Sequence, residues 1–246
     1  MVQAVALILG AGPNVGTNVA KAFAAQGYNV AITSRSRKDD EDDAKPHLHI
    51  QADLAEPSSI EDIFATVIRE LGHPSVVVYN ATSYSLTRAD TLQEQIAAFQ
   101  RDNNVNIVST YVATQLATRS FAILPPESSK TFIYTGNKQH LMVIPPLLSQ
   151  GVGKSGSAHL LHYLTEQHKN SGHKFYFADE RKSDGSPVYG DISGPAHGAF
   201  YTALAAQKTQ GPWNATFVEY QGYVAFRENA TSGYTADKSQ VCQTSN

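Results

Sequence analysis

"VALILGAGPNVG", residues 5–16, is an apolar run that breaks on glycine and leads into a helical pattern. Val5–Leu9 holds no polar residue and reads as a strand buried on both faces. Beyond the glycines, Val15, Val19, Ala22 and Phe23 recur at helical spacing, and Gly27 stops that helix. A strand, a tight turn and a helix in this order carry backbone N–H groups and a helix N-terminus up to a pyrophosphate. Glycine is needed wherever a side chain would block that approach.

The same alternation continues outward from this stretch. Apolar strands are expected at Asn29–Thr33, Leu48–Ile50, Val76–Tyr79, Thr131–Thr135, Lys174–Ala178 and Thr216–Glu219. Between them, Ile60, Ile63, Phe64, Val67, Ile68 and Leu71 repeat at helical spacing, with Ser58 and Glu61 set as a capping box. Further helices are expected over about 90–122, 152–169 and 195–208. The run RSRKDDEDD, residues 35–43, is too polar for anything but a loop. Strands alternating with helices imply an α/β doubly wound Rossmann fold, a parallel sheet of about seven strands covered on both faces. No linker divides the chain, so residues 1–226 read as one domain and 227–246 as a polar, loosely ordered tail.

Composition narrows the function classes. A net charge of -3, with Lys and Arg scattered, gives no basic field for nucleic acid. No stretch reaches the roughly 18–20 apolar residues that span a bilayer, and the N-terminus lacks the basic region of a signal peptide. The single cysteine, Cys242, has no disulfide partner, which favours a reducing, cytoplasmic setting. The sequons at Asn80, Asn214 and Asn229 then read as chance. His159, His162 and His168 have no carboxylate at metal-ligand spacing, so no metal site is expected.

With these elements in place, the chain resembles the short-chain dehydrogenase/reductase family over nearly its whole length. The family's glycine turn corresponds to Gly10, Ala11, Gly12, Pro13, Asn14, Val15 and Gly16, with Asn14 replacing the middle glycine. Asn tolerates left-handed backbone better than most residues, so the turn is expected to survive. Asp53 and Leu54, in QADL, match the segment whose aspartate touches adenine in the family. Asn80-Ala81-Thr82 matches the Asn-Ala-Gly after the fourth strand, and Asn106, in NVNIV, matches the asparagine of the long helix.

The cofactor's form is argued from the second strand. A carboxylate at its end usually holds a 2′-hydroxyl, whereas a 2′-phosphate calls for Arg and hydroxyls. Here it runs into Thr33-Ser34-Arg35-Ser36-Arg37, with no acid before Asp39, which points to NADP(H).

The resemblance implies a catalytic set of Asn, Ser, Tyr and Lys. Lys154 fits the lysine, and counting back from it puts Gln150 at the tyrosine and Asn137 at the serine. The fifth strand, TFIYTGN, independently places Asn137 at the serine position. A glutamine amide does not titrate near neutrality, so it can orient a carbonyl but not supply a general-acid step. Lys154 would keep the family role of bonding the nicotinamide ribose. Candidates for the missing acid are Tyr84, Lys138, His140 and Tyr189. ADERKSDGSPVYG, residues 178–190, departs from the family's Pro-Gly after the sixth strand, which leaves the nicotinamide amide contacts and the lid undefined.

The leading expectation is an NADP(H)-dependent oxidoreductase acting on a small organic substrate, an iminium ion or an enone that is already electrophilic. The rival is an NADP-binding protein of the same type without redox turnover: a non-redox cyclase or isomerase, a sensor or a scaffold. The sequence type is fungal in character, which hints at secondary metabolism. The resemblance also implies a homodimer or homotetramer paired through the long helices. Val105, Val108, Val112 and Leu116 on one, and Leu160, Leu161 and Leu164 on the other, are the expected apolar stripes.

Overall fold

The computed structural model describes residues 3–36, 47–86 and 91–227. Arg37, Asp39, Asn229, Cys242 and the tail beyond Arg227 lie outside the described residues. The strands are β1 (Val5–Leu9), β2 (Asn29–Ser34), β3 (Leu48–Gln51), β4 (Val76–Tyr79), β5 (Thr131–Thr135), β6 (Lys174–Glu180), β7 (Asn214–Val218) and β8 (Gly222–Tyr223). They form one sheet in the order β3-β2-β1-β4-β5-β6-β7-β8. The expected seven-stranded parallel sheet gains one short strand, since β8 pairs antiparallel with β7.

The helices are α1 (Val15–Ala25), α2 (Ser59–Glu70), α3 (Leu92–Asn103), α4 (Ser109–Ile123), α5 (Leu148–Gln167) and α6 (Gly194–Ala206). Strand periodicity splits the core into two layers. Val5, Leu7 and Leu9 pack beneath α2, α4 and α5, whereas Ala6 and Ile8 pack beneath α1 and α6. The strand order reverses at β1, so a crevice opens above the carboxyl ends of β1 and β4.

Several local expectations are corrected. Ser58 is itself helical in backbone and makes no cap bond; the capping box sits at Thr91 and Glu94, ahead of α3. Helix α5 starts at Leu148, four residues before the expected start, which brings Gln150 into its first turn. The apolar stripes do not form an outward face. Val105, Leu161 and Leu164 are buried, and Val112, Leu116 and Leu160 pack against the core, so of that set only Val108 is exposed. Every helix on a doubly wound sheet must spend its apolar stripe on the sheet first.

The expected helix over 90–122 is broken by a π turn at Asn104–Val108. Within this turn the Asn106 carbonyl accepts from Thr110 Oγ1 at 3.1 Å and from Ser157 Oγ of α5 at 2.6 Å. The two helices come this close because α5 carries glycine at the crossing. A Cβ on Gly153 would lie 2.4 Å from Asn106 Cβ, while one on Gly151 would meet only Gln139 Oε1 at 3.6 Å. Gly153→Ala should therefore lose roughly 1–3 kcal/mol of unfolding free energy through overpacking. Gly151→Ala should be neutral or slightly stabilising. Paired urea titrations measure the difference, and equal stability of the two variants would refute the crossing argument.

Candidate active site

Two connected cavities occupy the crevice. The first, of about 470 Å³, is lined by the glycine turn, Thr33, Ser34, Arg35, Ser36, Asp53, Leu54, Asn80 and Ala81. Its floor is close-packed backbone. Gly10 has φ +94°, and a Cβ there would lie 2.6 Å from the Ala81 nitrogen; a Cβ on Gly16 would lie 2.6 Å from Ala11 Cα. The Gly10 N–H donates to Thr33 Oγ1 at 3.0 Å, and Asn80 Nδ2 donates to the Gly10 carbonyl at 2.8 Å, so strands β1, β2 and β4 hold the turn together. Gly12, in contrast, has open space where its Cβ would be.

Asn14 does not use the left-handed tolerance expected of it, since its φ is -98°. Its side chain instead donates from Nδ2 to the Ile192 carbonyl at 2.9 Å, tying the turn to the segment ahead of α6. At the far end of the groove, Arg35 makes no ion pair among the described residues. Asp53 Oδ1 accepts from the Ala55 N–H at 3.0 Å, and its Oδ2 lies 3.4 Å from Arg101. The two sequons inside the described residues serve structure: Asn80 holds Gly10, and Asn214 is buried in β7.

The second cavity, of about 610 Å³, shares Gly12, Pro13, Asn80 and Thr82 with the first and brings Gln150, Lys154, Asn137, Tyr84, Tyr189 and Lys138 onto one wall system. Lys154 is buried, and its Nζ donates to the Thr135 carbonyl at 2.7 Å and lies 4.6 Å from the centre of the Tyr134 ring. Burial lowers its ammonium to about 7, against a smaller opposing pull from Asp179. Gln150 accepts from Gln139 Nε2 at 2.5 Å and donates to Thr82 Oγ1 at 3.2 Å. Thr82 in turn donates to Asn106 Oδ1 at 3.3 Å, and Asn106 Nδ2 donates to the Ser83 carbonyl at 2.7 Å. Asn137 spends its side-chain oxygen on the Gln139 N–H at 3.0 Å.

Of the acids expected in place of tyrosine, His140 is turned away from this cavity. Its Nδ1 bonds the Asn137 carbonyl, its Nε2 faces Asn214, and its ring packs edge-on against Phe177. Lys138 lines the cavity but donates to the Gly185 carbonyl at 2.8 Å. Tyr84 and Tyr189 stand at the rim, more than half exposed, and Tyr189 takes a positive φ of 51°.

The end of β6 supplies what the sequence reading passed over. Asp179, Glu180 and His197 all line the second cavity, and all three are buried. Asp179 Oδ2 receives Arg181 Nε at 2.7 Å and its Nη2 at 2.6 Å, in a pair shielded from solvent. Burial pushes the Asp179 carboxyl up, and Arg181 pulls it back. Glu180 has no such cation among the described residues. Burial raises it to about 7, against one bond from the Ser193 N–H and with smaller added repulsion from Glu219 and from Asp179. His197 is lowered to about 4 by burial and is therefore neutral. The signal that could have found these residues is ADER itself, three charges closing a strand that must be buried on both faces.

A glycine-lined crevice at the switch point of a doubly wound sheet defines a Rossmann-type nucleotide-binding fold. A profile of the short chain dehydrogenase family matches residues 4–133, more than half of the chain. The chain belongs to the short-chain dehydrogenase/reductase family and is an oxidoreductase of that type, on a fold that binds nicotinamide cofactors. It is similar to short chain dehydrogenase/reductase dmxR12 of Cryptosporiopsis sp. (strain 8999), 41% identical over 238 residues that cover 92% of this chain and 96% of the relative. The fold is shared with NADPH-dependent 3-quinuclidinone reductase from Rhodotorula rubra, at TM-score 0.71 and 18% identity, covering 88% of this chain and 90% of that one. It is shared equally with 3-oxoacyl-[acyl-carrier protein] reductase from Brucella melitensis in complex with NAD, at TM-score 0.68 and 19% identity, covering 85% and 94%. Neighbours named for different cofactors show that the fold alone does not choose between them. Among the described residues, no group of His, Cys, Asp and Glu is placed to hold a metal ion, and no helix is long and apolar enough to cross a membrane.

The Asp179–Arg181 pair yields a stability test. Asp179→Asn removes the carboxylate from a fully buried ion pair with Arg181 and should cost about 3–5 kcal/mol. Asp191→Asn, which breaks an exposed pair with Lys182, should change stability little. Chemical denaturation of both variants decides it, and equal midpoints would show that the Asp179 charge is not needed.

Proposed function

We propose that this chain is an NADP(H)-dependent reductase of a small organic substrate that is already electrophilic, an iminium ion or an enone. The observation that carries the reading is Gln150: it stands four residues ahead of Lys154 on the cavity wall, where the family resemblance calls for a titrating tyrosine. Both ends of its amide are engaged, by Gln139 and Thr82, so it is built to orient and not to exchange a proton. Asn137 in the serine's place points the same way.

The groove fits a dinucleotide on its own chemistry. Gly10, Gly12, Val15 and Gly16 would bring backbone N–H groups and the start of α1 to the pyrophosphate. Asp53, Leu54, Asn80 and Ala81 would border the adenosine and the ribose, and Lys154 the nicotinamide ribose. Arg35, with Ser34 beside it and no ion pair among the described residues, suits a 2′-phosphate. The bound cofactor would supply a hydride; the protein's part is to hold the acceptor in line and keep water out.

Arg35→Asp should weaken NADP(H) relative to NAD(H) by about 1.5–3 kcal/mol, roughly tenfold to a hundredfold, by removing a charge-assisted contact. Fluorescence titration with both reduced cofactors measures it, and equal loss for the two would mean that Arg35 does not read the phosphate. Turnover itself is tested by anaerobic incubation with NADPH and a panel of iminium ions and enones. Steady loss of the reduced nicotinamide signal is the expected result. A signal that holds constant across the panel while NADPH binds would instead favour a cofactor-binding protein without redox turnover.

A further inference from the structure

We propose that Glu180, held at the end of β6 by the Ser193 N–H beside His197, is the proton donor of the substrate cavity. This rests on the reductase reading above and names the group that takes over the tyrosine's proton. The cavity offers few alternatives. Gln150 and Asn137 are amides, His140 faces Asn214, and Tyr84 and Tyr189 stand in water at the rim. Asp179 spends one oxygen on two guanidinium nitrogens of Arg181, which counter the upward push of burial on its carboxyl and suit it to balance Lys154.

Glu180 is placed differently. The alternation along β6 sends Asp179 toward Lys154 of α5 and Glu180 toward α6, yet both reach the cavity. Glu180 Oε2 accepts from the Ser193 N–H at 3.0 Å and lies 3.5 Å from His197 Nδ1. Oε1 makes no hydrogen bond among the described residues, although the residue is only 5% exposed. The neighbouring His197, 2% exposed, donates from Nδ1 to the Ser193 carbonyl at 2.8 Å and leaves Nε2 without a hydrogen bond among the described residues. Two buried polar side chains on the cavity wall thus each keep one atom unspent. Neither atom is sealed away from solvent, so both open toward the cavity, within reach of a ligand.

Burial holds the proton on Glu180, and the neighbouring carboxylates add to it. Asp179 and Arg181 on its own strand largely cancel one another. From α6 it faces His197, which is neutral, and the Tyr201 hydroxyl, which donates to Thr135 Oγ1. Beyond β7 it faces Glu219, which takes the Ser193 hydroxyl at 2.5 Å and repels a second carboxylate. Across the cavity, Lys154 is itself partly neutralised near pH 7. Among the described residues no unspent cation faces it, and burial keeps the carboxyl protonated up to about pH 7.

For an enone the step balances as follows. A hydride from the reduced nicotinamide forms the new C–H bond at the β-carbon, and the C=C π pair moves to give an enolate. The O–H bond of Glu180 breaks, its proton bonds to the enolate, and solvent restores the carboxyl afterwards. The enone is reduced and the nicotinamide oxidised. An iminium ion becomes a neutral amine on hydride addition and needs no proton, which makes it the internal control.

The test compares cyclohexenone and N-methylpyrrolinium as substrates for the full chain and for Glu180→Gln. Loss of the acid should lower enone turnover roughly 10²–10⁴-fold, far more than iminium turnover, while NADPH affinity by fluorescence stays within a few-fold. Wild-type enone turnover should fall as pH rises through about 7, the raised value of Glu180, and the iminium reaction should lack that limb. Infrared titration of the protein without cofactor should show a protonated carboxyl band lost near neutral pH and missing from Glu180→Gln. Equal loss of both activities, or a wild-type protein without that band, would overturn the role of Glu180 and leave the reductase reading standing. A wild-type protein that binds NADPH yet reduces neither substrate would overturn the reading itself.

Discussion

The site hangs on one asparagine at a break in the long helical region. Asn106 is fully buried, and its carbonyl and its side chain bind different parts of the molecule. The carbonyl, inside the π turn, takes the Ser157 hydroxyl and ties α5 to the start of α4. The side-chain amide takes the Ser83 N–H at 3.0 Å and the Thr82 hydroxyl, and donates to the Ser83 carbonyl, which fixes the loop after β4. A buried amide this fully bonded cannot shift without leaving a donor or acceptor dry. Through Thr82 the constraint passes to Gln150, and through the crossing at Gly153 to Lys154 one residue on. The geometry of the cavity wall is therefore a consequence of helix packing, set well away from solvent.

Strand β6 shows how the same molecule treats buried charge in two ways. At its start, Lys174 is almost fully buried and directs its ammonium to the carbonyls of Leu204, Ala205 and Gln207, where α6 ends. The Leu204 carbonyl also takes the Gln207 N–H at 3.3 Å, and the cation sits at the negative end of the helix. This charge is structural, with every proton spoken for. At the other end Asp179, Glu180 and Arg181 bring two acids and one base into the core, and only one acid is matched. Burying an unmatched carboxyl costs free energy, so the fold tolerates it where it opens on the substrate cavity. That asymmetry separates the strand's anchor from its candidate chemistry.

Much of the fold was legible because parallel strands covered on both faces must be apolar throughout, and β1, β4 and β5 read as such. The glycine turn was legible for a similar reason: close backbone approach at Gly10 and Gly16 leaves few residue choices. What stayed hidden depends on contacts between distant segments. The π turn at Asn104–Val108 has no periodic signature, since it answers to Ser157 and Gly153, which follow it by some fifty residues. The capping box was assigned to Ser58 on pattern alone, yet the local turn had already made Ser58 helical. Spacing brought Gln150, Lys154 and Asn137 to one cavity, but it could not tell that His140 turns toward Asn214. ADER was noticed as a departure from the family and not as chemistry, because a charge at a strand end ordinarily means solvent.

The arrangement also bears on what the cavity can accept. In a tyrosine site one side chain both orients the carbonyl oxygen and gives it a proton, so the reacting group needs contact with one wall only. On the proposed reading these duties are divided. Gln150, fixed between Gln139 and Thr82, and Lys154, fixed to the Thr135 carbonyl, orient from the α5 side. The proton waits on the α6 side with Glu180 and His197. A substrate served by both walls must place the oxygen that is oriented and the atom that receives the proton some distance apart. An enone does so, with its carbonyl oxygen for one wall and its α-carbon, two bonds away, for the other; a simple ketone, whose oxygen is both oriented and protonated, does not. The rest of the 610 Å³ lining includes Met142, Ile144, Leu147, Val188 and Ile192, an apolar surface suited to the remaining carbon skeleton. Division of labour between two walls thus selects for conjugated substrates by geometry, before any single contact discriminates among them.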